Sequence, residues 1–292
     1  MHQPSSHHTK NLRLAFFINA GFAALELFGG LYTNSLAILS DAFHDFGDSV
    51  SLGLAWYFQH LSVRGRDHNF TYGYRRFSLL GALVNSLILT AGSIFIIVEA
   101  IPRLQAPEVT MSEGMAALAV IGIIVNYIAM RILQRGHSLN ERVVSLHLLE
   151  DVLGWVAVLV GAIIIYFTDW YIIDPLLSLL IAGIILFNVV RNLREAIDII
   201  LQKVPKDIDV DLLTDELKDI QSVLDVFDLH VWTLDGERII LSVHLVVAPG
   251  LDREDLIEIK NRARERVRSH GIGHSTIEIN LPEEEYTDEP DR

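Results

Sequence analysis

Two segments of the chain repeat one spacing: His44 and Asp48 lie four residues apart in SDAFHDFGD, and His147 and Asp151 lie four residues apart in HLLED. On a helix, that spacing brings both side chains to one face. Two such helices packed face to face offer two imidazole nitrogens and two carboxylate oxygens to a single point, the donor number and mixture that tetrahedral Zn²⁺ takes. Bound imidazole must be neutral and bound carboxylate ionised, so cation and protons compete for the same atoms. Groups this closely coupled titrate as a set. Asp41, three residues before His44, shares the face and is a candidate partner of the ligands or proton carrier, with a helix-end role as the alternative. Asp45 points about 100° away from His44, whereas Glu150 is a candidate substitute for Asp151. Glu26, Asn19, Asn85 and Asn126 read as interhelical hydrogen-bonding groups.

The elements that must carry these residues are membrane spans. Six stretches are long and apolar enough to cross a hydrocarbon core: Leu14 to Tyr32, Ser35 to His60, Phe77 to Ile101, Gly114 to Met130, Val143 to Phe167, and Tyr171 to Val190. The paired motifs fall on the second and fifth. An aspartate at the centre of a span costs roughly 3 kcal/mol on insertion scales, and such residues are ordinarily retained for function. The alternative is a buried His-Asp pair that only holds helices together. Connections at Thr33-Asn34, around Pro102 to Pro107, and at Thr168 to Trp170 contain one basic residue, Arg103. Lys10, Arg13, Arg64, Arg66, Arg75, Arg76, Arg131, Arg135, Arg142, Arg191 and Arg194 flank the other ends. The positive-inside rule then gives a multi-pass protein with both termini in the cytoplasm.

Beyond Lys203 the pattern becomes that of a soluble α/β domain, with Pro205 breaking the sixth helix or its extension. Asp207 to Gln221 and Leu251 to His270 read as helices; Val223 to Leu234, Arg238 to Val247 and Ser275 to Leu281 read as strands. Asp235-Gly236 is a hairpin signal. The expected organisation is a His-containing N-terminal tail over 1–11, a six-helix transmembrane bundle over 12–202, an αββαβ domain over 203–281, and an acidic tail over 282–292. Positions 203–292 hold 11 basic and 22 acidic residues, so −11 of the net charge of −14 lies there. That charge repels nucleic acid, which is excluded as a partner. The absence of cysteine removes thiolate metal sites and Cys nucleophiles.

With SDAFHDFGD and HLLED on spans two and five, the sequence resembles the cation diffusion facilitator family of metal/proton antiporters. The stretches GGLYTNSLAILSDAFHDFGD, TYGYRRFSLLGALVN, GHSLNERVVSLHLLEDVLGW and DLHVW extend the resemblance over nearly the whole length. It implies a homodimer with a small α+β ferredoxin-like cytosolic domain, in the cell (inner) membrane. It also implies a transport site on helices two and five formed by His44, Asp48, His147 and Asp151, and His at position 44 implies preference for Zn²⁺. The expected activity is export of Zn²⁺ in exchange for H⁺.

Some relatives in that family bind a second metal in the loop after helix two, with an Asp and two His. Here Asp67 and His68 are the candidates, with Tyr74 where another His would stand, and two ligands seldom hold Zn²⁺ alone. Relatives also place regulatory metal near the dimer interface of the cytosolic domain, where His230, His244, His274 and Glu278 are the candidates and Asn280 occupies a position where an acid occurs. His2, His7 and His8 sit in a polar tail that could capture metal weakly. The arginines around the second and third spans suit lipid headgroups. Co²⁺, Cd²⁺ or Fe²⁺ are alternative cargoes because first-row ions share ligand preferences. An intramembrane metalloenzyme would need an open coordination position and a general base, so no enzyme is expected; a membrane metal sensor that does not transport is the remaining alternative.

Overall fold

The computed structural model describes the backbone of residues 6–62, 66–133 and 139–284, and side chains there except 6–15, 52, 55, 56, 58–62, 132, 133 and 139–147. The chain divides into two compact units, Met1–Leu193 and Arg194–Arg292. Six long helices come first: α1 Ser6–Thr33, α2 Leu36–Ser62, α3 Phe77–Gln105, α4 Ser112–Leu133, α5 Leu139–Thr168 and α6 Ile173–Ile200. Among the described residues, five are long and apolar enough to cross a membrane. The other, α2, carries Asp41, Asp45 and Asp48.

The helices pack closely where glycine removes a side chain. A methyl on Gly47 of α2 would sit 2.6 Å from Leu89 and 2.8 Å from the Asn85 amide oxygen of α3. Gly122 of α4 lies against the indole of Trp155 on α5, which is 1% exposed. At these points a large side chain of one helix seats directly against the glycine backbone of the other, which sets the helix spacing. Ala37, Ile38, Met115, Ala119, Val158 and Ile165 complete the packed centre around Trp155.

Two helix ends differ from the sequence reading. Pro102 lies inside α3, whose last turn runs to Gln105, so the connection starts later than its proline suggested. α6 continues ten residues past Val190 and ends before Pro205 reaches it. Gln202 adopts φ 58°, Lys203 N–H donates to Asp198 O at 2.9 Å, and Gln202 N–H donates to Ile199 O at 3.1 Å. That is the Schellman ending, made here without glycine. Asn34, at φ 55°, ends α1 the same way, its N–H donating to Leu31 O and that of Ser35 to Gly30 O.

The second unit holds α7 Val210–Lys218, β1 Val223–Thr233, β2 Ile239–Val247, α8 Arg253–Ser269 and β3 His274–Asn280, in the expected αββαβ order. β1 and β2 are antiparallel, β2 and β3 parallel, with β2 central. Leu241, Val243, Leu245 and Val247 point to the face packed with Leu213 and Leu217 of α7 and Ala263 and Val267 of α8. Strand alternation sends Ser242, His244 and Val246 to the opposite face. Asp252 closes a capping box at α8, and His270 Nε2 meets Glu216 Oε2 at 3.0 Å to join α8 to α7. Lys218 on α7 pairs with Asp225 on β1 at 2.9 Å; the ammonium hydrogen bond holds the Asp225 carboxyl below its usual range.

Candidate functional site

α2 is held on both sides before it presents any ligand. From α1, Asn19 Nδ2 donates to Asp45 O at 2.9 Å and to Ser49 Oγ at 3.0 Å. On the α3 side, Gly47 and Gly92 admit Leu89 and Phe43 respectively. His44 and Asp48 thus occupy a helix face whose rotation is fixed by neighbours on other faces.

His44 Nε2 lies 3.8 Å from Asp48 Oδ2 on its own helix and 4.0 Å from Asp151 Oδ1 on α5. The three side chains are 21%, 26% and 13% exposed, so the bundle covers most of each. Bond lengths near 2.0–2.2 Å to Zn²⁺ imply a ligand-to-ligand edge of roughly 3.3 Å in a tetrahedron. The observed separations exceed that edge by about half an ångström or more, and among the described residues no group of three potential ligands meets metal-holding geometry. His147 belongs to α5, but its side chain lies outside the described residues.

Neighbouring acids separate by burial. Glu150 is exposed, whereas Asp151 is the α5 carboxylate near His44. Asp45 is 8% exposed. Glu26 of α1 is fully buried, with Asp41, Asp45 and Asp151 as neighbouring acids. Sequence reasoning left Glu26 as a generic interhelical group; its signal was a lone acid in the middle of an apolar span.

Asp67 builds its loop. Its Oδ1 accepts from the Asn69 and Phe70 N–H groups at 2.9 and 2.7 Å, and Tyr74 Oη donates to Oδ2. His68 beside it is exposed. The residues that would stand for a second histidine and a first acid therefore bond each other. His2 lies outside the described residues, as do the side chains of His7 and His8.

In the second unit, β-sheet register brings three of four candidates to the helix-free face. His230 pairs with Ser242 and Glu278 with His244 across the strands. Asp228, which sequence reasoning missed, joins them: its Oδ1 is 2.8 Å from His230 Nε2 and its Oδ2 is 3.9 Å from His244 Nε2. His244 Nε2 also lies 4.0 Å from Glu278 Oε2, and its Nδ1 lies 3.0 Å from Asn280 Oδ1. Asp228 reaches this place through a β-bulge, with φ 50° and a register shift between Phe227 and His230. His274 is not part of the group. It pairs with Ile240, four residues from the His244–Glu278 pair and about 13 Å along the strand.

Residues 12–201 match the family described as the cation efflux transmembrane domain, and residues 205–281 match the cation efflux protein cytoplasmic domain. A cadmium, cobalt and zinc/H⁺–K⁺ antiporter of Bacillus subtilis is 34% identical over 92% of this chain and 88% of its own. The metal cation efflux system protein CzcD of Cupriavidus metallidurans is 35% identical over 96% and 89%. The zinc transporter ZitB of Escherichia coli is 32% identical over 95% and 89%.

Proposed function

The chain belongs to the cation diffusion facilitator family, a multi-pass membrane transporter of divalent metal cations and no enzyme, and from that premise we propose that it exports Zn²⁺ from the cytoplasm in exchange for H⁺. The cation is held by His44 and Asp48 of α2 with His147 and Asp151 of α5. The observation that carries this reading is the approach of His44 to Asp151 across two helices, at 4.0 Å, with both side chains largely covered by the bundle. Contraction by about 0.7 Å brings these atoms to a tetrahedral edge. Protonation of the same nitrogen and oxygens releases the metal, which couples the two fluxes. Asp41 is a partner of the ligands or a proton carrier.

The protein acts as a homodimer with its second unit in the cytoplasm, where a regulatory cation would have to draw Asp228, His230, His244 and Glu278 closer together on the helix-free sheet face. Zinc titration of full-length Asp48→Ala, with the transport site disabled, reads that group separately; His244→Ala in the same background removes the remaining binding.

Reconstituted vesicles under an imposed pH gradient test the transport reading. Zn²⁺ flux with opposite proton movement is expected, reduced about 100-fold or more in Asp48→Ala and Asp151→Ala, since even supporting residues around a metal are worth 10- to 100-fold. Greater flux of Cd²⁺, Co²⁺ or Fe²⁺ than Zn²⁺ would reassign the cargo. Tight binding without flux would make the protein a sensor.

A further inference from the structure

Asp174 is a charged residue at zero exposure, in the first turn of α6, and the transport chemistry gives it no task. Its Oδ1 accepts from Ser35 Oγ at 2.5 Å and from the Ala37 N–H at 3.3 Å, and its Oδ2 accepts from the Leu36 N–H at 2.8 Å. Leu36 and Ala37 begin α2, and N–H groups there have no acceptor within their own helix. Ser35 supplies the usual local cap, its Oγ accepting from the Ile38 N–H at 3.3 Å. The cap of α2 is therefore shared between its own serine and a carboxylate from another helix, which also faces the positive end of the α2 dipole.

The same turn of α6 grips α5. Gly161 has no Cβ, and the space one would occupy is taken by Leu177 and Ile173 of α6. Ile173 and Leu177 also pack on the cluster containing Ala162 and Ile165. One helical turn thus fastens the start of α2 through hydrogen bonds and the second half of α5 through aliphatic contact. His44 lies eight residues along α2 from Leu36, about 12 Å, and Asp151 lies ten residues along α5 from Gly161, about 15 Å. A tilt of about 5° at the anchor moves a group that far along a helix by roughly 1 Å. Metal–ligand bonds near 2.0–2.2 Å do not tolerate such a displacement.

We infer that Asp174 is a positioning residue for transport: by fastening the N-terminus of α2 to the turn of α6 that holds α5, it sets the separation between His44–Asp48 and Asp151. The inference rests on the proposed transport site for its functional consequence and on the hydrogen bonds alone for its mechanical one. Because the chain has no cysteine, spin labels introduced at Tyr57 of α2 and Val160 of α5, both exposed, report the separation of the two helices in full-length protein in proteoliposomes. Asp174→Ala is expected to shift or broaden the label distance and to raise the KM for Zn²⁺ about 10-fold, the scale of lost support around a metal ligand. Asp174→Asn, which keeps one acceptor oxygen in the same shape, is expected to move both readouts in the same direction by less, and carries the test where the alanine variant does not insert. Unchanged label distance and unchanged KM in a folded variant would overturn the inference, as would fewer active molecules at unchanged KM. Should the native protein carry no Zn²⁺, the transport reading fails while the label distance still decides whether Asp174 fixes α2 against α5.

Discussion

His44 has two carboxylate neighbours on different helices, at 3.8 and 4.0 Å, and its imidazole is the softer donor of that set. Replacing it by a carboxylate leaves an oxygen-rich site, which suits harder ions. His44→Asp is therefore expected to lower Zn²⁺ flux and raise relative flux of Mn²⁺, read as the ratio of initial rates in vesicles. Protons compete at the same atoms, so the KM for Zn²⁺ in the native protein is expected to rise as pH falls, by up to about 10-fold per unit for each proton displaced; a flat KM between pH 6 and 8 would remove proton exchange from the mechanism. At this scale the paired spacing was legible because four-residue intervals on a helix determine a face. Asp228 and Asp174 were not legible. One reaches its histidines through a positive-φ bulge, and the other caps a helix 138 positions away; neither a register shift nor a distant contact leaves a local pattern in sequence.

At the scale of elements, the helices came from apolar runs, while their ends came from backbone hydrogen bonds that composition reports poorly. Pro102 was read as a boundary, yet a proline near a helix C-terminus removes only one bond and α3 continues to Gln105. Gly122 was unremarkable in the sequence, but the Trp155 indole occupies the place of its Cβ. Gly122→Ala must displace that ring or separate α4 from α5, at a cost of about 1–3 kcal/mol as overpacking; a fall in the melting temperature in detergent is the expected readout, with Gly154→Ala, whose Cβ would meet nothing within 4 Å, as the control. In the second unit, the lowered pKa of Asp225 means that its pairing with Lys218 stabilises α7 against β1 above the ordinary carboxylate range. That contribution is lost as pH falls through the lowered value. Lys218→Met is expected to raise the Asp225 pKa toward its usual range, measured by carboxyl carbon NMR, with little effect on stability at neutral pH because the pair is exposed.

For the whole molecule, the asymmetry of basic residues assigns a side of the membrane to each connection, and the structure explains the one basic residue on the sparse side. Arg103 pairs with Glu99 and Glu108 at 3.4 and 3.3 Å and donates to Asn34 Oδ1 and O at 3.0 and 3.2 Å. Its charge is spent on two carboxylates within the same end of the bundle, so it offers little to the topology signal. Arg66, Arg75 and Arg76, before α3 at its opposite end, are exposed. Single cysteines introduced into this cysteine-free chain make the assignment measurable. In intact cells an impermeant maleimide is expected to label Val109→Cys, in the connection after α3, and to spare Asn69→Cys, in the loop before it; both residues are exposed. The reverse pattern would place the acidic second unit outside the cell and turn the proposed exporter into an importer, because the direction of proton-driven metal movement follows the sidedness of the protein in the membrane.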